Sequence, residues 1–178
     1  VPAAFKPVTF QKGVYALPET MSFSAMFYRT DIFEENGWEV PATYPELIDL
    51  MDIMTVSGVT PFTFGQYDYI VINALAALYA QYEGANDFML NSTLSGTDSQ
   101  FGEISLQNGY MVHRQEGRKA AIKFAADLAK NRAYTTQQTR NGLTHLGAQK
   151  EFILSINVAE TKENRIAMFL EQSYWERE

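Results

Sequence analysis

Three short apolar runs, at 23–28, 59–64 and 166–170, alternate with helix-periodic segments that follow Thr43, follow Asp68 and run from Gln115 to Asn131. That alternation predicts an α/β fold, a mostly parallel sheet with helices on both faces. The scale fits a single unit. With 178 residues, 46% of them hydrophobic and 20% charged, the chain can bury roughly 70% of the surface its unfolded form exposes.

Taken in order, 1–11 carries Pro2 and Pro7 without helical period and reads as an irregular lead-in. Val14 to Leu17 is a short apolar strand that Pro18 interrupts, because proline removes a ladder donor. Phe23 to Tyr28 is unalternating, as in a strand buried on both faces. Asp31 and Glu34 have the N-cap and N3 spacing of a short helix that Asn36-Gly37 ends. Thr43 and Glu46 form a second capping box, before a helix with Leu47, Ile48, Met51 and Met54 on one stripe and Ser57-Gly58 at its close. Val59 to Phe64 contains Pro61 and so either lies near a sheet edge or starts only after the proline.

The next helix aligns Val71, Leu75, Leu78 and Tyr82 and stops at Gly84. Residues 86–110 are rich in Ser, Gly, Asn and Thr and give the weakest signal, as do 134–142. In the helix 115–131, Ala121, Phe124, Ala125 and Leu128 face inward. Thr144 caps a helix through Ala148, Phe152 and Ile153, 157–164 is a solvated loop, and Ile166 to Leu170 is the last buried strand.

Composition narrows the function. A net charge of −7 disfavours nucleic acid, whose phosphates need clustered Lys and Arg, and also disfavours strongly anionic ligands. With no cysteine there is neither a disulfide framework nor a thiolate site. The longest apolar run, Tyr69 to Ala80, is too short to span a bilayer. The chain starts at Val1 without a signal peptide, and is expected to be a piece of a longer protein whose targeting segment lies elsewhere.

His113 and His145 stand far apart, with no metal-binding pattern around them, and read as surface or turn histidines; no metal or cofactor is expected. Phosphate loops and nucleophile elbows are absent. Glu34-Glu35 with Glu171 would be the only candidate glycosidase acid pair, although adjacent helix carboxylates usually form a solvated face. More informative are two strand ends, Gly65-Gln66-Tyr67-Asp68-Tyr69 and Glu171-Gln172-Ser173-Tyr174-Trp175. In open α/β sheets, ligands bind beyond the carboxyl ends of the strands. Aromatic faces there suit the C–H face of a sugar ring, and amides and carboxylates suit its hydroxyls. Tyrosine and tryptophan at strand ends can equally complete a core edge.

Tyr15-Ala-Leu-Pro18, the strand ending in Tyr28, Asp31-Ile-Phe-Glu34, Pro41-Ala-Thr-Tyr-Pro-Glu-Leu47 and Ile166 to Trp175 together resemble family 1 extracellular solute-binding proteins. These are the receptor subunits of ABC importers for sugars. The resemblance covers nearly the whole chain and lies in the order and spacing of these motifs. It implies one lobe (1–178) of a two-lobe receptor, with 1–17 and 171–178 as hinge or crossover segments, one antiparallel crossover strand at 23–28 entering the sheet from the hinge, and the partner lobe absent from the chain. It further implies a non-catalytic carbohydrate-binding role outside the cytoplasm, whether secreted, periplasmic or lipid-anchored at the cell surface, in partnership with a membrane permease. The ligand residues it implies are Glu19 and Ser22 in the crossover loop, Gln66 and Tyr67 after one strand, and Tyr174 and Trp175 after the last. Self-association through the exposed hinge edge is a further expectation. Two other classes stay open, a fragment of a carbohydrate-active enzyme and a structural or interaction domain without a small-molecule site.

Overall fold

The computed structural model describes residues 8–17, 19, 23–65, 69–155 and 165–172. Its centre is a three-stranded sheet in the order β3 (Ser24–Tyr28), β7 (Ile166–Gln172), β4 (Thr60–Phe64). β4 runs parallel to β7, with Phe62 opposite Met168 and Phe64 opposite Leu170. β3 runs antiparallel to β7, from Ser24 beside Gln172 to Tyr28 beside Met168. The expected α/β class and the single antiparallel strand are both present.

β3 corrects one expectation. It is not buried on both faces but forms one edge of the sheet, with Met26 38% and Tyr28 41% exposed. β4 is the other edge, which is why Pro61 is tolerated inside it. Beyond β4 the ladder continues only as an isolated parallel bridge from Phe62 to Thr135 among the described residues.

Helices cover both faces. On one, α2 (Tyr44–Val56) and α5 (Glu116–Lys130) bring Leu47, Leu50, Met51, Met54, Phe124 and Leu128 against Phe62, Met168 and Leu170. α1 (Thr30–Asn36) adds Ile32 and Phe33 to that core, and Gly37 ends it in the left-handed region at φ 66°. On the other face, α7 (His145–Leu154) packs Ala148 and Phe152 against Ile166 and Phe169, the two rings stacked 5.2 Å apart.

The local signals for α2 and α7 hold. Thr43 Oγ1 accepts from the Glu46 amide while Glu46 reaches back to the Thr43 amide. Pro45 follows in the first turn, where no helix carbonyl needs the amide it lacks. Thr144 Oγ1 accepts from the Gly147 amide at 3.1 Å. At α1 the expected box does not form. The helix begins at Thr30, Arg29 occupies the cap without a side-chain bond, and Asp31 turns back to accept from Arg29 Nε at 2.7 Å. A buried arginine (Arg29) takes the carboxylate that a cap would have used.

The lead-in is more ordered than its prolines suggest. β1 (Thr9–Phe10) pairs with β2 (Gly13–Val14) in a hairpin whose turn residues Gln11 and Lys12 both have positive φ, so the strand expected over 14–17 stops at Val14. α3 (Tyr69–Glu83) ends before Gly84 as expected, but Tyr82 is 60% exposed and Tyr79 takes the buried position. The weak-signal region forms α4 (Ala85–Thr93), the hairpin β5 (Gly96–Asp98)–β6 (Gly102–Ile104) and a 3-10 turn, Gly109–Arg114. Its tie is Asp98, buried, which accepts from the Gln100 and Phe101 amides and from Gln115 Nε2 at 2.7 Å. The segment 134–142 holds α6 (Gln137–Gly142), capped by Thr136. The expected loop at 157–164 lies outside the described residues.

Between α2 and α5, Tyr44 Oη donates to Asp127 Oδ2 at 2.7 Å, and Lys123 Nζ reaches the same oxygen at 2.6 Å. Lys123 first and Tyr44 second hold the Asp127 carboxyl below the usual carboxylate range, and the Arg29 guanidinium does the same for Asp31. A carboxyl with a lowered folded value stabilises the fold above its unfolded value and loses that contribution as pH falls through the folded one. Acid unfolding below about pH 4 is therefore expected to draw on both groups. Asp127→Asn should flatten this part of a stability-against-pH curve, measured by chemical denaturation at stepped pH. An unchanged slope would remove Asp127 from that role.

Candidate functional site

The register fixes where the strand ends fall. Phe64 lies beside Leu170, and Ser24 beside Gln172, so the carboxyl ends of β4 and β7 and the start of β3 share one edge of the sheet. This is the side on which open α/β sheets hold ligands. Antiparallel entry of β3 is what brings its beginning, rather than its end, to that edge.

α7 runs from this edge toward the opposite one. Its first residue, His145, sits at the carboxyl ends of β4 and β7, whereas Ser155, just past its last turn, accepts from Arg29 Nη1 at 3.4 Å near the start of β7. Gly65, the residue after β4, is pressed against the first turn of α7: a Cβ there would lie 3.0 Å from His145 Cα and 3.2 Å from its amide nitrogen. Only glycine lets the two backbones approach so closely.

From the neighbouring strand, Glu171 reaches the same turn. Its carboxylate, with 0% of the side chain exposed, lies 2.8 Å from His145 Nδ1, and the imidazole is 27% exposed. His145 Nε2 lies 2.9 Å from Gln149 Nε2 one turn on. A carboxylate buried this deeply persists only when partnered, because desolvation penalises its charge. On the opposite face a mostly apolar cavity of about 390 Å³ opens beside the same strand ends, with Phe64, Leu75, Phe124, Leu128 and Leu170 in its wall.

His145 is therefore no turn histidine standing in solvent but the partner of a buried acid. The Thr144 cap places it at a helix start, yet nothing in the local pattern connects it to Glu171. The geometry also removes the glycosidase pair. Glu34 and Glu35 are exposed on α1, and Glu35 accepts from Arg165 Nη1 at 2.6 Å, just before β7 begins. Glu171 lies at the far end of β7, about 20 Å away at 3.3 Å per residue, where paired catalytic carboxyls stand within about 10 Å. Of the six expected ligand residues, Glu19 is described and exposed. Ser22, Gln66, Tyr67, Tyr174 and Trp175 lie outside the described residues.

The sequence matches, over residues 1–170, the family described as bacterial extracellular solute-binding protein. The chain belongs to that family. Among solved structures, this solute-binding chain resembles one from a study of xylan utilisation by Caldanaerobius polysaccharolyticus, with a TM-score of 0.65 at 21% identity over 98% of this chain and 38% of that one. It also resembles a chitin oligosaccharide binding protein, with a TM-score of 0.61 at 18% identity over 96% of this chain and 36% of the other. A sugar transporter from Arthrobacter chlorophenolicus A6 with bound laminaribiose gives 0.54 at 20% identity, again over 96% and 36%. Identities at this level establish a shared fold. The chain thus spans well under half the length of these solute-binding relatives. No curated protein sequence matches it.

Proposed function

We propose that this chain is one lobe of the receptor component of an ABC importer and that it captures a carbohydrate outside the cytoplasm for delivery to a membrane permease. The observation that carries the reading is the shared edge. Two strands end there and a third begins, and the aromatic and amide-rich stretches 66–67 and 173–175 are joined directly to those ends. Membership of a solute-binding family and likeness to proteins named for sugars support it.

In this reading residues 1–178 are a single lobe, 1–17 and 171–178 are crossover segments, and a second lobe supplies the other half of the contacts. Glu19, Ser22, Gln66, Tyr67, Tyr174 and Trp175 are the contributed ligand residues: rings under the sugar faces, polar groups on the hydroxyls. Two half-sites closing over the ligand exclude water and strengthen each hydrogen bond. Anchoring at the cell surface through a lipid and pairing through the hinge edge belong to the same reading.

A thermal-shift screen of the full-length receptor against neutral oligosaccharides tests it. A binder at 100 times its Kd should stabilise the folded state by about 2.7 kcal/mol. The 178-residue chain alone should bind the same sugar far more weakly, since its half-site stays wet. Equal affinity for both would sink the two-lobe reading, and release of a cleaved glycan would move the protein to the enzymes.

A further inference from the structure

Three asparagines precede a glycine, in Asn36-Gly37, Asn108-Gly109 and Asn141-Gly142. Such a pair carries an intrinsic reaction, because a glycine amide nitrogen has no Cβ beside it to hinder attack on the asparagine side-chain carbon. The fold holds the three pairs very differently. Asn36 Nδ2 donates to the Ile32 carbonyl at 2.8 Å, and the Gly37 amide donates to the Glu34 carbonyl at 3.2 Å. Asn108 Oδ1 accepts from the Ser105 amide at 2.7 Å and from its hydroxyl at 3.2 Å, while Nδ2 donates to the Glu103 carbonyl at 2.8 Å. Gly109 beside it is buried, and a Cβ there would stand 3.0 Å from Leu94 Cδ2. In both pairs hydrogen bonds must break before the side chain can turn toward the next nitrogen.

Asn141 is exposed, and its side chain has no hydrogen-bond partner among the described residues. It stands in the last turn of α6, a helix of 6 residues, too short to persist by itself. What holds α6 lies earlier. Thr136 caps it, the Thr139 hydroxyl is 2.9 Å from that of Thr63, and Arg140 donates to the carbonyls of Arg132 and Thr135. Past Arg140 and Asn141, Gly142 is at φ 98° and Leu143 is already extended. A brief opening of this last turn therefore breaks no side-chain tie of Asn141.

We propose that Asn141-Gly142 is the first of the three pairs to deamidate spontaneously, and that its isoaspartate product disturbs the start of α7. The Gly142 nitrogen gives its proton to hydroxide and bonds to Asn141 Cγ. The Cγ–Nδ2 bond breaks, ammonia leaves with a proton from water, and a five-membered imide remains. Water then opens the imide at one carbonyl. Opening at Cγ gives aspartate, whereas opening at the main-chain carbonyl carbon routes the chain through Cγ and gives isoaspartate, whose backbone is one carbon longer. Leu143, next along, packs into the cluster of Ala148, Phe152, Ile166 and Phe169, and Thr144 Oγ1 accepts from the Gly147 amide at 3.1 Å. Extra length just before these two anchors must be taken up at the first turn of α7, where His145 meets Glu171 at 2.8 Å. This chemistry is independent of what the protein binds.

The test is incubation of the full-length protein at mildly alkaline pH, where more of the glycine amide is deprotonated. Mass spectrometry follows the three Asn-Gly peptides over time, with electron-transfer fragmentation to separate aspartate from isoaspartate. The Asn141 peptide should gain the acid at least about fivefold faster than those of Asn36 and Asn108, a margin set by the hydrogen bonds the others must break. In urea the three rates should converge to within about twofold, since only the local sequence then acts. Asn36 or Asn108 reacting as fast as Asn141 in the folded protein overturns the assignment. So does an Asn141 that stays intact until the chain unfolds, or the same ordering of rates in urea. The ring resonances of His145 test the effect on α7. They should shift in the purified isoaspartate form and stay in place in Asn141→Asp, which adds the charge without the carbon. Equal shifts in both forms, or none in either, overturn the coupling to α7.

Discussion

Phe169→Ala should destabilise the fold by about 3–5 kcal/mol, the range for removing a buried aromatic ring and leaving its cavity. Phe169 is at the middle of β7, the central strand, and is wholly buried. Its ring stacks on Phe152 of α7 and shares a cluster with Ala148 and Ile166. Few buried apolar groups hold α7 to the sheet, so loss of this ring should also loosen the helix that carries His145. Chemical denaturation gives the energy, and amide exchange along 145–154 reports the helix. A loss below about 1 kcal/mol, with α7 amides still protected, would mean that α7 is held by other contacts.

Gly65→Ala should cost about 1–3 kcal/mol through overpacking and should act on the candidate edge as well as on stability. The added methyl would stand 3.0 Å from the His145 Cα, and backbone cannot rotate out of the way as a side chain can. Either the end of β4 or the first turn of α7 must shift. The 2.8 Å contact between His145 and Glu171 is expected to lengthen. Denaturation midpoints and the ring resonances of His145 report the two effects. Wild-type stability with an unmoved His145 signal would show that the junction has slack the geometry does not suggest.

Much of the fold was legible because its determinants are local. The Thr43–Glu46 box and the Thr144 cap need only a few consecutive residues, and both form as their spacing requires. Pro61 pointed to an edge strand through its missing donor, and β4 is one. The antiparallel direction of β3 was expected not from local signals but from the two-lobe resemblance, in which a strand entering from the hinge brings its beginning to the edge where the other strands end.

Where reading along the chain fell short, a side-chain partner that the spacing does not reveal had intervened. Asp31 had the right spacing to cap α1, but the buried Arg29 guanidinium binds its carboxylate. Tyr79 rather than Tyr82 faces inward because it meets Asn91 and Gln115, with the Arg118 guanidinium 5.2 Å from its ring centre. Segment 86–110 has little apolar periodicity, yet it buries Leu90 and Ile104 with Val112 in one cluster and ties Asp98 to Gln115 from a later part of the chain.

Periodicity, caps and proline act over a turn or two, and they were enough to set the main elements and the α/β class. They could not make partners of His145 and Glu171, seat the first turn of α7 on Gly65, or hold Glu35 too far from Glu171 for paired acid chemistry. Those outcomes arise in three dimensions, because charge pairing and close backbone approach depend on distance in space. The fold sets that distance by laying α7 back along β7, and no spacing along the chain encodes it.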